Sequence, residues 1–207
     1  ETEELAEKAV RAIEVEYEVL PPVIDPVEAM RSSEPVYEEV LWGESVERIE
    51  RNVACEREVE EGNVDKAFAE ADLIVEGAFK TPKIYHAQME TKSAVCRPEP
   101  DGGLTVWPTT QSIHNVRILL GQIFDIPLSK VNVIRVPIGG TFGSSIQMNP
   151  PIPIAAALAL KARRPVKLTL TREEDAHDHT RYGTQIHLKL AAKKDGALTG
   201  AEMRLIA

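Results

Sequence analysis

Two short stretches of this chain hold residue types from which chemistry could be built. The first is Gly139-Gly140-Thr141-Phe142-Gly143, set between a β-branched run and an apolar run. Glycines at a strand-to-helix junction let backbone N–H groups approach an anion or a flat cofactor closely. The spacing is neither the G-x-G-x-x-G of a dinucleotide fold nor a phosphate-binding loop, because no Gly-Lys-Ser/Thr follows. A tight turn without a ligand fits it as well. The second stretch, Ile84 to Thr91, alternates His86, Gln88 and Glu90, which on a strand all project from one face. Such a face could hold a metal or relay protons. No third strong ligand stands at fixed spacing, so a solvent-facing polar strand or an internal hydrogen-bond network is the expectation.

Other reactive residue types are scattered. His114, His177, His179 and His187 form no H-E-x-x-H pattern, and His177 and His179 follow Arg172-Glu173-Glu174-Asp175 in what reads as a polar loop or helix end. No G-x-S-x-G elbow is present, and Ser144-Ser145 has no matched base. Cys55 lies in an acidic segment expected to disfavour its thiolate, and neither Cys55 nor Cys96 belongs to a C-x-x-C pair. Covalent catalysis, an iron–sulfur cluster and a zinc site within this chain are therefore not expected.

The elements that must position these residues follow from patterning. Over 207 residues, 43% hydrophobic and 5% aromatic composition describes a globular protein with a core. A net charge of −9 argues against a nucleic-acid surface, despite the short cluster Lys161-Ala162-Arg163-Arg164. The apolar run Ile152 to Leu160 is too short to span a membrane, no signal segment opens the chain, and the cysteine usage fits a reducing cytoplasm. A helix is predicted over Thr2 to Ala12 and a half-buried strand over Ile13 to Val19. After a helical turn at Asp25 to Met30, residues 34–61 read as an acidic connector.

From Gly62 the texture changes. Asn63 is expected to cap a helix through Ala71, followed by a strand over Leu73 to Lys80 and a β-rich span over Lys83 to Arg97. Asp101-Gly102-Gly103 makes a hairpin turn into Leu104 to Trp107, and Thr110 or Ser112 caps a helix to about Phe124. Then come strand Val131 to Val136, the glycine loop, helix Pro153 to Ala162, strand Val166 to Leu170, and strands Thr184 to Ala192 and Leu198 to Leu205. The fold class is α+β, with mixed β-sheets and packed helices.

The order of particular pieces is more specific than any one of them. Val15-Glu16-Tyr17-Glu18-Val19-Leu20-Pro21, Ile84 to Thr91, Pro108-Thr109-Thr110-Gln111, Gly139 to Gly143 and Pro165 to Asp175 occur in the same order in the molybdenum-binding subunit of the xanthine dehydrogenase/aldehyde oxidase family. The chain resembles that family over essentially its whole length. The resemblance implies that residues 1–33 are the C-terminal part of an α/β hammerhead domain and 62–207 an incomplete first molybdopterin-binding domain. It implies a molybdenum–molybdopterin cofactor, in the cytosine dinucleotide form, with iron–sulfur and FAD subunits or domains as partners. The implied reaction is hydroxylation of a small-molecule heterocycle or aldehyde with oxygen taken from water.

By the same resemblance, Gly139, Gly140, Phe142, Gly143 and Gln111 bind the cofactor, Phe142 also meets substrate, and Arg181 falls near an Arg of a later polar loop. No residue here is a direct metal ligand, and the general-base Glu is expected downstream. Four positions depart from the pattern: Thr141 stands where many members have a third glycine, Ser144-Ser145 stands at the end of the loop where many members read Gly-Lys, and Ile84 replaces a Gln. Both ends look cut, so the chain is expected to be an internal fragment, inactive alone. A non-catalytic scaffold and a split subunit completed by a second polypeptide are the rival expectations.

Overall fold

The structure is a computed structural model that describes residues 2–32, 35–42, 45–48 and 51–207. Two compact units divide it, Glu1–Ala69 and Glu70–Leu205. The expected boundary at Ser33 and the glycine Gly43 lie outside the described residues.

In the first unit, α1 (Glu3–Arg11) begins where Thr2 accepts the Leu5 amide, with Glu3 and Glu4 in its first turn and Lys8 and Arg11 in its last. That charge order suits the helix dipole. Asp25 caps α2 (Pro26–Ala29) by accepting from the Val27 and Glu28 amides. The strand expected over Ile13 to Val19 does not form: these residues are exposed, and no strand among the described residues pairs with them. Alternation alone cannot make a strand, whose backbone groups need a neighbour to bond. The acidic connector instead contains an antiparallel hairpin, β1 (Glu39–Trp42) with β2 (Ser45–Arg48). Asn52 accepts from the Val36 amide and donates to the Ala29 carbonyl. Asn63 accepts from the Lys66 amide at the start of α3 (Val64–Ala69). The unit division after Ala69 thus falls later than the textural change at Gly62.

The second unit is built on a four-stranded sheet in the order β7 (Val131–Val133), β6 (Leu104–Pro108), β5 (Ser93–Pro98), β8 (Val166–Thr169). β7 runs parallel to β6 and the other pairs are antiparallel. A parallel neighbour requires a crossover, and α4 (Ile113–Phe124) supplies it. Ala94, Cys96, Leu104 and Val106 from the sheet meet Val116 and Leu120 of α4 and Ile152, Ala155, Ala156 and Ala159 of α5 (Pro151–Ala162). Small residues at helical spacing let α5 lie close on the sheet. A second sheet, β11 (Leu198–Ile206), β10 (Thr184–Ala192), β3 (Leu73–Thr81), and a short ribbon, β4 (Ile84–Tyr85) with β9 (Thr180–Arg181), complete the α+β unit. Burial pushes the Cys96 thiol up to about 12, which leaves it an inert core group.

Three expected elements differ here. The β-rich span over Lys83 to Arg97 breaks after Tyr85 and resumes at Ser93, with Ala87 in a left-handed conformation at φ 53. The strand expected over Val131 to Val136 pairs only as far as Val133. Neither Thr110 nor Ser112 caps α4 through its side chain. Ser112 holds the N-cap position without such a bond, and Thr110 Oγ1 accepts the Ser112 amide.

The two faces of α5 predict a contrast measurable by chemical denaturation of the full-length protein. Ile152 is fully buried, whereas Ile154 is 48% exposed. Ile152→Ala is expected to cost about 2–5 kcal/mol, and Ile154→Ala roughly 1 kcal/mol or less.

Candidate functional site

The glycine loop and the 86–90 segment, apart in sequence, face each other in the second unit. A Cβ built on Gly139 would stand 2.7 Å from the Glu90 Cβ. One on Gly140 would stand 4.0 Å from the Gln88 Cβ, and one on Gly143 3.9 Å from His86 Nε2. His86, Gln88 and Glu90 therefore run alongside the loop in reverse order. They do not share a strand face as expected, because the left-handed Ala87 interrupts the alternation. Gly140 (φ 97) and Gly143 (φ 101) occupy the region that L side chains avoid, and Phe142 itself has φ 49.

The loop is braced along its length. The Gly139 amide donates to Glu90 Oε2, and the Gly143 amide donates to Gln111 Oε1 at 3.2 Å. The Ser145 carbonyl accepts from the Gln111 amide at 3.0 Å and from Thr110 Oγ1 at 3.3 Å. Asn149 Nδ2 donates to the Thr109 carbonyl at 3.0 Å. The three amides between these braces, those of Gly140, Thr141 and Phe142, donate to no group among the described residues. Successive free amides on a turn of mixed handedness form a receptor for anionic or oxygen ligands.

Four of the unsatisfied buried side-chain atoms among the described residues belong to the loop or to the segments beside it, while a fifth, Asp178 Oδ2, lies beside Lys92. Among the described residues, buried His86 Nδ1, Gln88 Oε1, Ser144 Oγ and Asn149 Oδ1 have no hydrogen-bond partner. Buried polar atoms are almost always paired with protein, water or a ligand. Gln111, having given its oxygen to Gly143, keeps its Nε2 hydrogens as donors. It also lines a cleft of about 740 Å³ with Thr110, Ile113, Arg135, Val136, Pro137 and Ile138. That volume is of small-molecule size. Phe142 is 74% exposed, with its ring 3.5 Å from the point a Gly140 Cβ would occupy.

Of the sequence-predicted site residues, Gly139, Gly140, Phe142, Gly143 and Gln111 come together. Arg181 does not join them. It pairs with Ile84 on the β4–β9 ribbon and donates to the Pro82 carbonyl. Glu90 is engaged by Gly139, and no cluster of metal-ligating side chains occurs among the described residues.

The structure adds a group that sequence reasoning missed. Lys92 is fully buried, with its ammonium 3.1 Å from Asp175 Oδ1 and 3.1 Å from Asp178 Oδ2. Both carboxylates lie on α6 (Arg172–Asp178), where only a polar loop or helix end was expected. A legible signal was present: Thr171 and Glu174 form a reciprocal capping box. Asp175 also accepts from Tyr85 Oη, from Gln88 Nε2 at 2.7 Å and from the Lys92 amide at 3.2 Å. Burial pushes the Asp175 carboxyl up, but the hydrogen bonds from Tyr85 and Lys92 and the lysine charge outweigh it and hold it below its ordinary value. Burial, then the bond to Asp175, raises the Tyr85 hydroxyl.

Comparison with known proteins agrees with this architecture. A family model described as the molybdopterin cofactor-binding domain matches residues 46–207. A probable xanthine dehydrogenase subunit of Bacillus subtilis (strain 168) is 34% identical over 100% of this chain and 26% of its own length. The carbon monoxide dehydrogenase large chain of Hydrogenophaga pseudoflava is 30% identical over 98% of this chain and 26% of its own. Among solved structures, a Cu,Mo-CO dehydrogenase in its carbon monoxide reduced state superposes with a TM-score of 0.86 at 25% identity, covering 98% of this chain and 26% of that one. Quinoline 2-oxidoreductase from Pseudomonas putida 86 gives 0.82 at 26% identity, over 99% of this chain and 25% of that one. The chain thus spans about a quarter of the length of these relatives. No helix among the described residues is long and apolar enough to cross a membrane.

The depressed Asp175 pKa predicts a signed pH effect. Its stabilisation is complete above the ordinary aspartate pKa, about 3.9, and is lost as pH falls through the lower folded-state value. Denaturation midpoints of the full-length protein should fall more steeply on acidification below about pH 4 than those of Asp175→Asn, which has no carboxylate there to titrate.

Proposed function

We propose, because this chain belongs to the molybdopterin cofactor-binding domain family, that residues 139–143 with Gln111 cradle a molybdenum–molybdopterin cofactor. The observation that carries this reading is the row of free amides at Gly140, Thr141 and Phe142, with orphaned polar atoms of His86, Gln88, Ser144 and Asn149 around it. The backbone amides and the Ser144 hydroxyl suit oxygen atoms of a polar ligand, and the Gln88 and Asn149 carbonyl oxygens suit its N–H or O–H groups. When bound, the cofactor supplies the two-electron acceptor and the site at which water is activated. The chain's part is placement and electrostatics.

Within that reading each residue has a task. The free amides donate to oxygen atoms, and glycine at 140 and 143 keeps Cβ atoms out of the approach. The Gln111 Nε2 group donates a further hydrogen bond while its oxygen holds Gly143 in place. Phe142 offers an exposed ring against which a planar substrate packs. We take the substrate to be a heterocycle or an aldehyde, hydroxylated with oxygen from water, and the partners to be iron–sulfur and FAD subunits or domains. Residues 1–33 are assigned to the end of a hammerhead domain and 62–207 to the first molybdopterin-binding domain of a longer cytoplasmic enzyme. The fragment supplies no general base, so it is inactive alone, and the cofactor is taken as the cytosine dinucleotide form.

A second reading, a scaffold without cofactor, draws on Thr141 and Ser144, whose buried side chains occupy positions where family members have glycine. Metal and pterin analysis of the native full-length protein separates the two. About one molybdenum and one pterin per chain are expected, with Gln111→Ala weakening cofactor retention roughly 10–100-fold, the usual effect of removing an orienting contact at a metal site. Absence of both from the native protein would leave the scaffold.

A further inference from the structure

We propose that the buried Lys92–Asp175–Asp178 cluster is the positioning centre of the glycine loop, acting through residues 85–92; it rests on the cradle reading above only for what the loop holds. A buried ion pair is a poor means of gaining stability, since well-packed apolar residues of the same volume do as well or better. What the charges provide that apolar residues cannot is a set of directed bonds. Asp175 Oδ1 takes the Lys92 ammonium and the Lys92 amide, and Oδ2 takes Tyr85 and Gln88. All four donors come from residues 85–92, and four of them fill the acceptor capacity of one carboxylate.

The same helix adds more. Arg172 donates to the Gln88 carbonyl at 2.7 Å, the Met89 carbonyl at 2.6 Å and the Tyr85 hydroxyl at 2.8 Å. Residues 86–92 have no regular secondary structure of their own, so α6 takes the place of a sheet neighbour. The far side of this segment meets the loop most tightly at Glu90. It accepts the Gly139 amide, and its Cβ leaves no room for a side chain at 139, while Gln88 and His86 lie beside Gly140 and Gly143 with space for a Cβ between them. A displacement of the segment is thereby passed to the row of free amides. Asp175 and Lys92 are positioning residues in this scheme, since they act on the loop through Gln88 and Glu90.

The test is hydrogen exchange with mass spectrometry on the full-length protein with its native partners, comparing peptides covering 85–92, 139–146 and 93–108. Asp175→Asn is expected to speed exchange in the first two by about tenfold or more, the effect of losing a hydrogen bond to a charged group, with 93–108 unchanged. Glu90→Ala is expected to speed only 139–146, and Glu90→Gln, which keeps an acceptor for Gly139, to restore it. The apolar Lys92→Met/Asp175→Leu/Asp178→Leu, which leaves no carboxylate of the cluster without its cation, should keep the core peptide protected yet leave the loop fast. If Asp175→Asn does not fold, Tyr85→Phe carries the same expectation, because it removes one donor and spares the ion pair. A wild-type exchange rate at 139–146 in Asp175→Asn, or acceleration there only in step with 93–108, overturns the proposal. Molybdenum and pterin measured on the same wild-type samples report separately on the cradle reading, which can fail while the exchange result stands.

Discussion

A lysine ammonium taken wholly out of water must be met by charge, and the second unit is arranged around that demand. Removing either partner of a buried pair leaves an uncompensated charge that costs about 3–5 kcal/mol. Lys92 therefore fixes where α6 must lie, with Asp175 and Asp178 one helical turn apart and both within 3.1 Å of it. Because Asp175 is also bonded by Tyr85 and Gln88, the constraint extends into the irregular chain that flanks the glycine loop.

Loop and flanking segment then form two layers with different degrees of satisfaction. At the ends of the loop every brace is a hydrogen bond to the rest of the unit, through Glu90, Gln111 and Thr110. At its centre three amides and several buried side-chain atoms are left over. Rigid support around unsatisfied donors is the arrangement in which a polar ligand is bound without reorganising the protein. The departures from the family pattern fall within this frame. Thr141 and Ser144 are buried in it, while Ile84 lies on the β4–β9 ribbon opposite Arg181.

Much of the fold is readable from local pattern. The helices at Glu3–Arg11 and Val64–Ala69 follow from periodicity and caps, those at Ile113–Phe124 and Pro151–Ala162 from their apolar pattern, and the Asp101-Gly102-Gly103 turn from its glycines. The site residues of the loop are legible because glycine spacing and order are local features. What escapes the sequence is non-local. Ile13 to Val19 alternates like a strand yet has no partner among the described residues, and His86 to Lys92 alternates yet turns at Ala87. The buried role of Asp175 depends on Lys92, 83 positions away, and in a charge-rich stretch such as Arg172 to Asp178 nothing local distinguishes Asp175 and Asp178, which face the lysine, from Glu173 and Glu174, which do not.

Distance along the chain has a last consequence, in time. β3 pairs with β10 through its full length, and Thr81 meets Thr184 across a separation of 103 residues. A ribosome adding about 5–20 residues per second leaves β3 waiting roughly 5–20 seconds for its partner. During that interval a nine-residue strand containing Leu73, Ile74, Val75 and Phe79 presents an open edge to other nascent chains. Glu76 and Lys80, placed among those apolar residues, are the charges that guard such an edge against pairing with the wrong neighbour.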